Sequence, residues 1–162
     1  MQAIIFCGIQ ATGKSTFYKE RLFNSHIRIS LDLLKTRNRE QRLLQLCLDT
    51  QAKFAVDNTN PTAAERARYI AAAKSAGYEV VGYYFQSVPR AALLRNRQRP
   101  VAEQVPDKGI FGAAGRLELP RYAEGFDQLY YVRIGEGGEF SVEPWQDEQP
   151  SPPPASPVSS AD

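Results

Sequence analysis

Residues 3–15 read AIIFCGIQATGKS, a short apolar run followed directly by a glycine-rich loop. The apolar run is typical of a buried strand, and the loop from Gly8 to Ser15 fits the pattern G-x-x-x-x-G-K-[ST] in full. In such a loop the glycines let the backbone curl, so that successive N–H groups and the next helix N-terminus converge on phosphate oxygens. The stretch predicts nucleotide binding; the alternative is a glycine-rich turn with an incidental lysine.

The loop also carries the side chains that a nucleoside triphosphate requires. We expect Lys14 to reach the β and γ phosphates and Ser15 to offer its hydroxyl to Mg²⁺. ATP and Mg²⁺ are therefore the predicted cofactors, and Ser15 is the predicted metal-contacting residue. The other loop residues that we expect at the ATP site are Gly8, Ala11, Thr12, Gly13 and Thr16.

Short apolar runs alternate with helical patterns along the rest of the chain, which indicates an α/β fold with helices on both faces of a parallel sheet. We expect five strands in a mainly parallel sheet, with a hairpin around GEGGEFSV closing the domain. Helices are expected from Lys14 to Phe23, from Arg39 to Gln51, from Pro61 to a stop at Gly77, and after a Ser87 cap. The expected strands are residues 3–7, 26–30, 53–57, 79–85 and 128–134.

The chain length of 162 residues fits one domain, which we place at residues 1–143. Residues 144–162 hold six of the eleven prolines and a PSPPPASP core, a composition that cannot bury enough apolar surface to order itself. We predict a disordered C-terminal tail, which serves either to recruit a protein partner or as an inert extension.

Composition excludes several other classes of protein. No stretch approaches the roughly 18 apolar residues of a membrane span, and the N-terminus lacks the features of a signal peptide, so we expect a cytoplasmic protein without membrane contact. Cys7 and Cys47 are far apart in sequence, and His26 is the only histidine. A disulfide scaffold, a zinc site and a histidine-based catalytic triad are therefore disfavoured.

The net charge of +2 hides two local basic clusters. Each could bind a polyanion, or each could be a solvated basic helix face. The first cluster consists of Arg28, Lys35, Arg37, Arg39 and Arg42, and the second of Arg90, Arg95, Arg97 and Arg99.

Two aspartates follow predicted strands, where functional residues of such sheets lie. Asp32 could accept the proton of an acceptor hydroxyl in phosphoryl transfer, or it could cap the short helix that follows. Asp57 could be a Walker B acid or an acceptor-site ligand, or it could serve the turn chemistry of the sequence Asp-Asn-Thr-Asn-Pro.

Residues 56–80, VDNTNPTAAERARYIAAAKSAGYEV, and residues 83–99, YYFQSVPRAALLRNRQR, carry a family resemblance. Together with the glycine-rich loop they resemble the kinase domain of polynucleotide 5′-hydroxyl kinases, the phage and mammalian enzymes of 5′-end healing and nucleic acid repair. The resemblance covers roughly residues 2 to 106, and it implies a P-loop kinase fold.

The resemblance also implies roles for individual residues. Asp32 would be the general base, and Arg99 would be the lid arginine that stabilises charge during transfer, with Arg95 beginning the same basic run. Asp57, Asn58 and Thr59 would orient the acceptor end and its adjacent phosphate.

This sequence departs from the family pattern at the acceptor site. The family's N-R-D reads Ser30-Leu31-Asp32, and Lys35 stands where an arginine is expected. Lysine keeps the positive charge but loses the bidentate fork, so Arg37 could share recognition of the acceptor phosphate.

The sequence thus predicts an ATP- and Mg²⁺-dependent phosphotransferase acting on the 5′-hydroxyl end of RNA or DNA. The first alternative is a kinase of a small-molecule hydroxyl that resembles gluconate, shikimate or antibiotic kinases or zeta-type toxins. The second is a non-catalytic ATP-binding module.

Overall fold

The structure, a computed structural model, describes residues 1–147 and shows a mostly parallel sheet between helices. The strand order is β2-β3-β1-β4-β5-β6, and only the last pair is antiparallel. The predicted α/β P-loop kinase-like fold is confirmed, but the strand number of five is wrong, because the closing hairpin adds a sixth. The strands are β1 (Gln2–Cys7), β2 (Ile27–Ile29), β3 (Phe54–Val56), β4 (Glu79–Phe85), β5 (Gln128–Ile134) and β6 (Phe140–Pro144).

Six α-helices connect or follow the strands in the described part of the chain, with short 3-10 turns at Val101–Glu103 and Tyr122–Glu124. Helix α6 was not among the helices expected from the sequence. The helices are α1 (Lys14–Arg21), α2 (Leu31–Leu34), α3 (Arg37–Thr50), α4 (Ala63–Ser75), α5 (Pro89–Gln98) and α6 (Asp107–Arg116).

Local capping explains where helix α4 begins. Thr62 and Glu65 form a reciprocal capping box at the start of α4. At α5 the prediction was wrong, because the N-cap residue is Val88 rather than Ser87. The Ser87 hydroxyl instead accepts a hydrogen bond from the Ile9 amide at 3.0 Å and donates one to the Phe85 carbonyl at 2.8 Å. Ser87 therefore supports the glycine-rich loop.

The central strand β1 is buried on both faces, as expected for a sheet covered by helices on each side. Ile5 and Cys7 belong to the core shared with α3 and α4. Ile4 and Phe6 point to the opposite core, which includes Phe17 of α1. The alternation holds the loop after Cys7 at the carboxyl edge of a rigid strand.

The folded part of the chain extends beyond the expected boundary at residue 143. Pro144 ends β6, and Trp145 is 2% exposed, with its ring 5.0 Å from Tyr84 and 5.7 Å from Tyr131. Asp147 accepts a hydrogen bond from the Tyr122 amide. Residues 144–147 are thus part of the fold, and the rest of the expected tail, residues 148–162, lies outside the described residues. No helix within residues 1–147 is both long and apolar enough to cross a membrane.

Replacing Trp145 tests the extended boundary. We expect Trp145→Ala to lower the free energy of unfolding by about 3 kcal/mol, because truncating a buried aromatic side chain leaves a cavity against Tyr84 and Tyr131. The measurement is urea unfolding followed by circular dichroism. Ser141→Ala, at an exposed position of β6, is the matched control and should shift stability by less than about 0.5 kcal/mol.

Candidate active site

Hydrogen bonds within the glycine-rich loop and to the turn after β3 hold the loop in place. The Gly8 amide donates to the Thr59 carbonyl at 2.9 Å, and the Thr12 hydroxyl donates to the Ile9 carbonyl at 2.8 Å. Gly13 has a φ of 94°, and a Cβ there would lie 2.9 Å from Phe140 Cε1. Glycine is therefore required at this position both by conformation and by the close approach of the β5–β6 hairpin.

Lys14 is folded back into the loop. Its Nζ donates to the Ile9 carbonyl at 2.7 Å, and the residue is buried. Burial lowers the pKa of Lys14 to about 8, while the negative charge of Asp57 opposes that shift. The positive charge of the buried ammonium group is thus only partly compensated, and a bound phosphate would compensate it further.

Ser15, Asp57 and Arg28 form a compact polar cluster beside the loop. The Ser15 hydroxyl donates to Asp57 Oδ2 at 2.9 Å, and Arg28 Nε donates to the same oxygen at 2.8 Å. Arg28 Nη2 also donates to the Ser15 hydroxyl at 3.1 Å. Of the readings of Asp57 left open by the sequence, this contact with Ser15 favours the Walker B one, because the carboxylate lies beside the predicted Mg²⁺-contacting hydroxyl.

The remaining residues of the DNTNP turn make internal contacts. Asn58 Oδ1 accepts from the Leu31 amide at 2.9 Å, and its Nδ2 donates to Glu40 at 2.8 Å. Asn60 Nδ2 donates to the Phe6 carbonyl at 2.9 Å, with its backbone at a φ of 43°. The turn chemistry that the sequence allowed is therefore present, and the Asn58 amide, predicted to orient an acceptor, is engaged with the protein itself.

A cleft of about 280 Å³ opens above the loop and collects most of the predicted site residues. The predicted residues that line it are Ala11, Gly13, Lys14, Ser15, Thr16, Asp32, Asp57, Asn58, Thr59, Arg95 and Arg99. Gln10, Glu103, Val105 and Ile134 also line it and were not foreseen. Gly8 and Thr12 support the loop from behind.

Two predicted acceptor-binding residues do not line this cleft. Lys35 is exposed just after α2, at a φ of 73°. The Arg37 guanidinium donates to Glu40 at 2.9 Å and to the Tyr69 hydroxyl at 3.1 Å. The Arg37 guanidinium is thus engaged in hydrogen bonds within the protein, and Lys35 lies outside the cleft.

Asp32 occupies the second position of α2, where Ser30 is the N-cap residue. The capping alternative for Asp32 is therefore wrong. Within residues 1–147 its carboxylate has no hydrogen-bond or ion-pair partner. Its negative charge, like that of Asp57, opposes the lowering of the Lys14 pKa by burial. An exposed, unpaired carboxylate facing the loop lysine is available to a hydroxyl group.

The second basic cluster contributes one arginine of α5, and one that directly follows α5, to the cleft. Arg95 and Arg99 line it, and the following segment is clamped by two hydrogen bonds between the Asn96 side chain and the Val105 backbone, 2.7 and 3.1 Å long. Gln104 Nε2 also donates to the Arg99 carbonyl at 2.9 Å. The backbone that carries Arg95 and Arg99 is therefore held in place by hydrogen bonds to the segment that follows it.

The residues present fit a nucleoside triphosphate with Mg²⁺. The loop places backbone amides, the Lys14 ammonium and the Ser15 hydroxyl on one side of the cleft. The described residues contain no cluster of three or more His, Cys, Asp or Glu side chains for a metal. Such a cluster is not needed, because Mg²⁺ in sites of this kind takes one or two protein ligands, substrate phosphates and waters.

The lowered pKa of Lys14 predicts how nucleotide affinity depends on pH. Bound phosphate favours the charged ammonium, so ATP affinity should be constant below about pH 8 and fall by up to tenfold per pH unit above it. Equilibrium titration with a fluorescent ATP analogue at pH 7 to 10 measures this dependence. Lys14→Met should bind weakly and lose the dependence; a Lys14→Met variant that keeps it would assign the titration to another group.

Comparisons with known proteins agree with this geometry. Residues 4–120, well over half of the chain, match the AAA_33 family model, described as an AAA domain. A bifunctional polynucleotide phosphatase/kinase of Schizosaccharomyces pombe is 25% identical over 135 residues, which cover 81% of this chain. The chain spans about a third of the length of that relative.

Two solved structures share the fold. A gluconokinase from Sinorhizobium meliloti 1021 has a TM-score of 0.59 at 15% identity, covering 83% of each chain. Kti12 from Chaetomium thermophilum, solved in complex with ADP-AlF3, has a TM-score of 0.62 at 16% identity, covering 84% of this chain and 92% of that one. This chain is a P-loop kinase-like domain and belongs to the AAA_33 family of AAA domains.

Proposed function

We propose that this domain transfers the γ-phosphate of ATP to the 5′-hydroxyl end of RNA or DNA, with Asp32 as the general base. The observation that carries the proposal is the unpaired Asp32 carboxylate, which lines the same cleft as Lys14, Arg95 and Arg99. In-line phosphoryl transfer requires a proton acceptor and a set of cations for the phosphates, both within reach of one acceptor hydroxyl.

Each residue of the cleft then has a defined task. Lys14 and the loop amides bind the β and γ phosphates, and Arg99 neutralises charge as the bond between the γ-phosphorus and the bridging oxygen breaks. Asp32 accepts the hydroxyl proton as the acceptor oxygen bonds to the γ-phosphorus, and ADP leaves. Mg²⁺, held by Ser15 with Asp57 beside it, would neutralise phosphate charge.

A row of exposed cations beside Asp32 supports a polynucleotide acceptor. Lys35, Arg39 and Arg42 are exposed and make no ion pair within residues 1–147. Arg39 Nη1 also donates to the Leu34 carbonyl at 3.3 Å, which places this row against the helix that carries Asp32. The phosphates that follow a 5′-terminal nucleotide could bind there. The polynucleotide kinase relative supports the same acceptor class.

One observation favours a second candidate, a kinase of a small-molecule hydroxyl. Arg37 is held by Glu40 and Tyr69, and Lys35 lies outside the cleft. Of the described residues, the cations lining the cleft are therefore Lys14, Arg95 and Arg99. The proposed transfer uses all three to bind the donor phosphates. A neutral acceptor would need no further cation.

Direct transfer distinguishes the candidates. With γ-labelled ATP and Mg²⁺, we expect label on 5′-hydroxyl oligonucleotides and none on 5′-phosphorylated controls. Asp32→Asn should lower kcat at least about 100-fold while leaving ATP affinity within twofold, because only the proton acceptor is removed. Full activity in Asp32→Asn would remove Asp32 as the base, and label on gluconate but on no oligonucleotide would favour the second candidate.

Salt dependence tests the exposed cations separately. The affinity for a single-stranded oligonucleotide should fall with salt concentration. Each phosphate-binding cation that is removed should reduce the slope of log affinity against log salt concentration by about 0.7. Arg39→Ala with Arg42→Ala should therefore flatten the slope, as measured by fluorescence anisotropy. Lys53→Ala, an exposed cation next to the amino end of β3, is the matched control. Equal slopes in all the proteins would mean that the row does not bind the acceptor.

A further inference from the structure

Helix α2, which carries Asp32, has little of its own to hold it in place. It is a single turn of four residues, none of them fully buried, and its N-cap residue Ser30 makes no side-chain capping bond. Isolated turns of this length are not stable in water, so the position of α2 depends on contacts with the rest of the protein. Besides the partial packing of Leu34 and the Arg39 bond to the Leu34 carbonyl, the contact at its first residue is the Asn58 bond to the Leu31 amide.

The orientation of the Asn58 amide is set from behind by Glu40. The Leu31 amide is a donor, so the oxygen of the Asn58 side chain must face it, and the Asn58 NH₂ group then faces Glu40 Oε2 at 2.8 Å. Glu40 is only 3% exposed. A carboxylate there can only accept, so it fixes which way the amide points.

Two further donors anchor the same carboxylate. Glu40 Oε1 accepts from the Tyr69 hydroxyl at 2.8 Å and from Arg37 at 2.9 Å. Burial and the contact with Glu40 raise the pKa of Tyr69 to about 12, so the tyrosine stays a donor throughout the neutral range. The chain of bonds therefore runs from α4 through Glu40 and Asn58 to the residue before Asp32.

We propose that Glu40 is a positioning residue: through Asn58 it holds the first residue of α2, and so sets where the Asp32 carboxylate lies relative to Lys14. The inference rests on the proposed role of Asp32 as the base, and it applies whichever acceptor is used. It assigns Asn58, expected from the sequence to orient the acceptor, to the support of the base instead.

The pattern of donors and acceptors around Asn58 suggests one substitution that should disrupt these hydrogen bonds and a second that should restore them. Glu40→Gln keeps the shape of the side chain but can turn an NH₂ group toward that of Asn58, so that two donors face each other. Adding Asn58→Asp to Glu40→Gln supplies acceptors to both the Leu31 amide and the amide at position 40. Asp127→Asn is the control, because it changes another hydrogen-bonded carboxylate, which accepts from Lys74 and from the Val80 amide at the amino end of β4 and does not line the cleft.

The experiment measures kcat with a 5′-hydroxyl oligonucleotide and Mg-ATP, ATP affinity, melting temperature and hydrogen exchange of the Leu31 amide by NMR. We expect Glu40→Gln to lower kcat about 10- to 100-fold, the cost of misplacing a reacting group, with ATP affinity within twofold. Exchange at Leu31 should accelerate at least tenfold. Asp127→Asn should lower the melting temperature, because it loses the ion pair with Lys74, yet keep kcat within twofold. The double variant should regain most of the lost kcat.

Three outcomes would overturn the inference. These are unchanged Leu31 exchange in Glu40→Gln, an equal loss of kcat in Glu40→Gln and Asp127→Asn, and a double variant no more active than Glu40→Gln alone. If Glu40→Gln does not fold, Tyr69→Phe takes its place. It removes one donor from Glu40 and one acceptor, 3.4 Å away, from the Asn58 amide, and it should lower kcat more than Asp127→Asn does. Asp32→Asn in the same series separates the two proposals, since full activity in that variant contradicts the base assignment itself.

Discussion

The hydrogen bonds of one turn, residues 57–60, connect the parts of the site that must work together. Asp57 contacts the Ser15 hydroxyl, the Thr59 carbonyl accepts from the Gly8 amide, and Asn60 bonds to the carbonyl of Phe6 in β1. Asn58 extends the same turn to the helix that carries Asp32. The phosphate loop and the proposed base are thus fixed to one short segment at the carboxyl edge of the sheet.

That segment is in turn supported by a buried cation. Arg66 is fully buried, bonds to the Asn60 and Pro61 carbonyls, and is neutralised by two hydrogen bonds to Glu124. A buried charge without its partner is costly, so the arginine, its acid and the turn must be present together. The strain of the Asn60 backbone, at a φ of 43°, is held by these contacts. The turn is therefore supported by buried residues that do not line the cleft, whereas Asp32, Arg95 and Arg99 line it.

The sequence predicted the strands and the phosphate loop well, because apolar runs and glycine spacing are local signals. Helix α6 was missed because its sequence DKGIFGAAGR contains three glycines, and it is held by burial of Ile110 and Ala113 against Ile9 and Ala92. The hydrogen bonds of Ser87 and Asn58 join segments that are far apart in the sequence, so no local sequence pattern predicts them. Glu40 left a detectable signal, since it lies four residues before Leu44 and seven before Cys47 on the apolar side of α3.

A crystal structure with a non-hydrolysable ATP analogue, Mg²⁺ and a 5′-hydroxyl oligonucleotide would test the account most directly. We expect the 5′-hydroxyl within about 2.6 to 3.2 Å of the Asp32 carboxylate and in line with the γ-phosphate. We also expect the bond from the Leu31 amide to Asn58 to be kept in the complex. A 5′-hydroxyl bound away from Asp32, or an Asn58 side chain released from α2 to hold the acceptor, would contradict it.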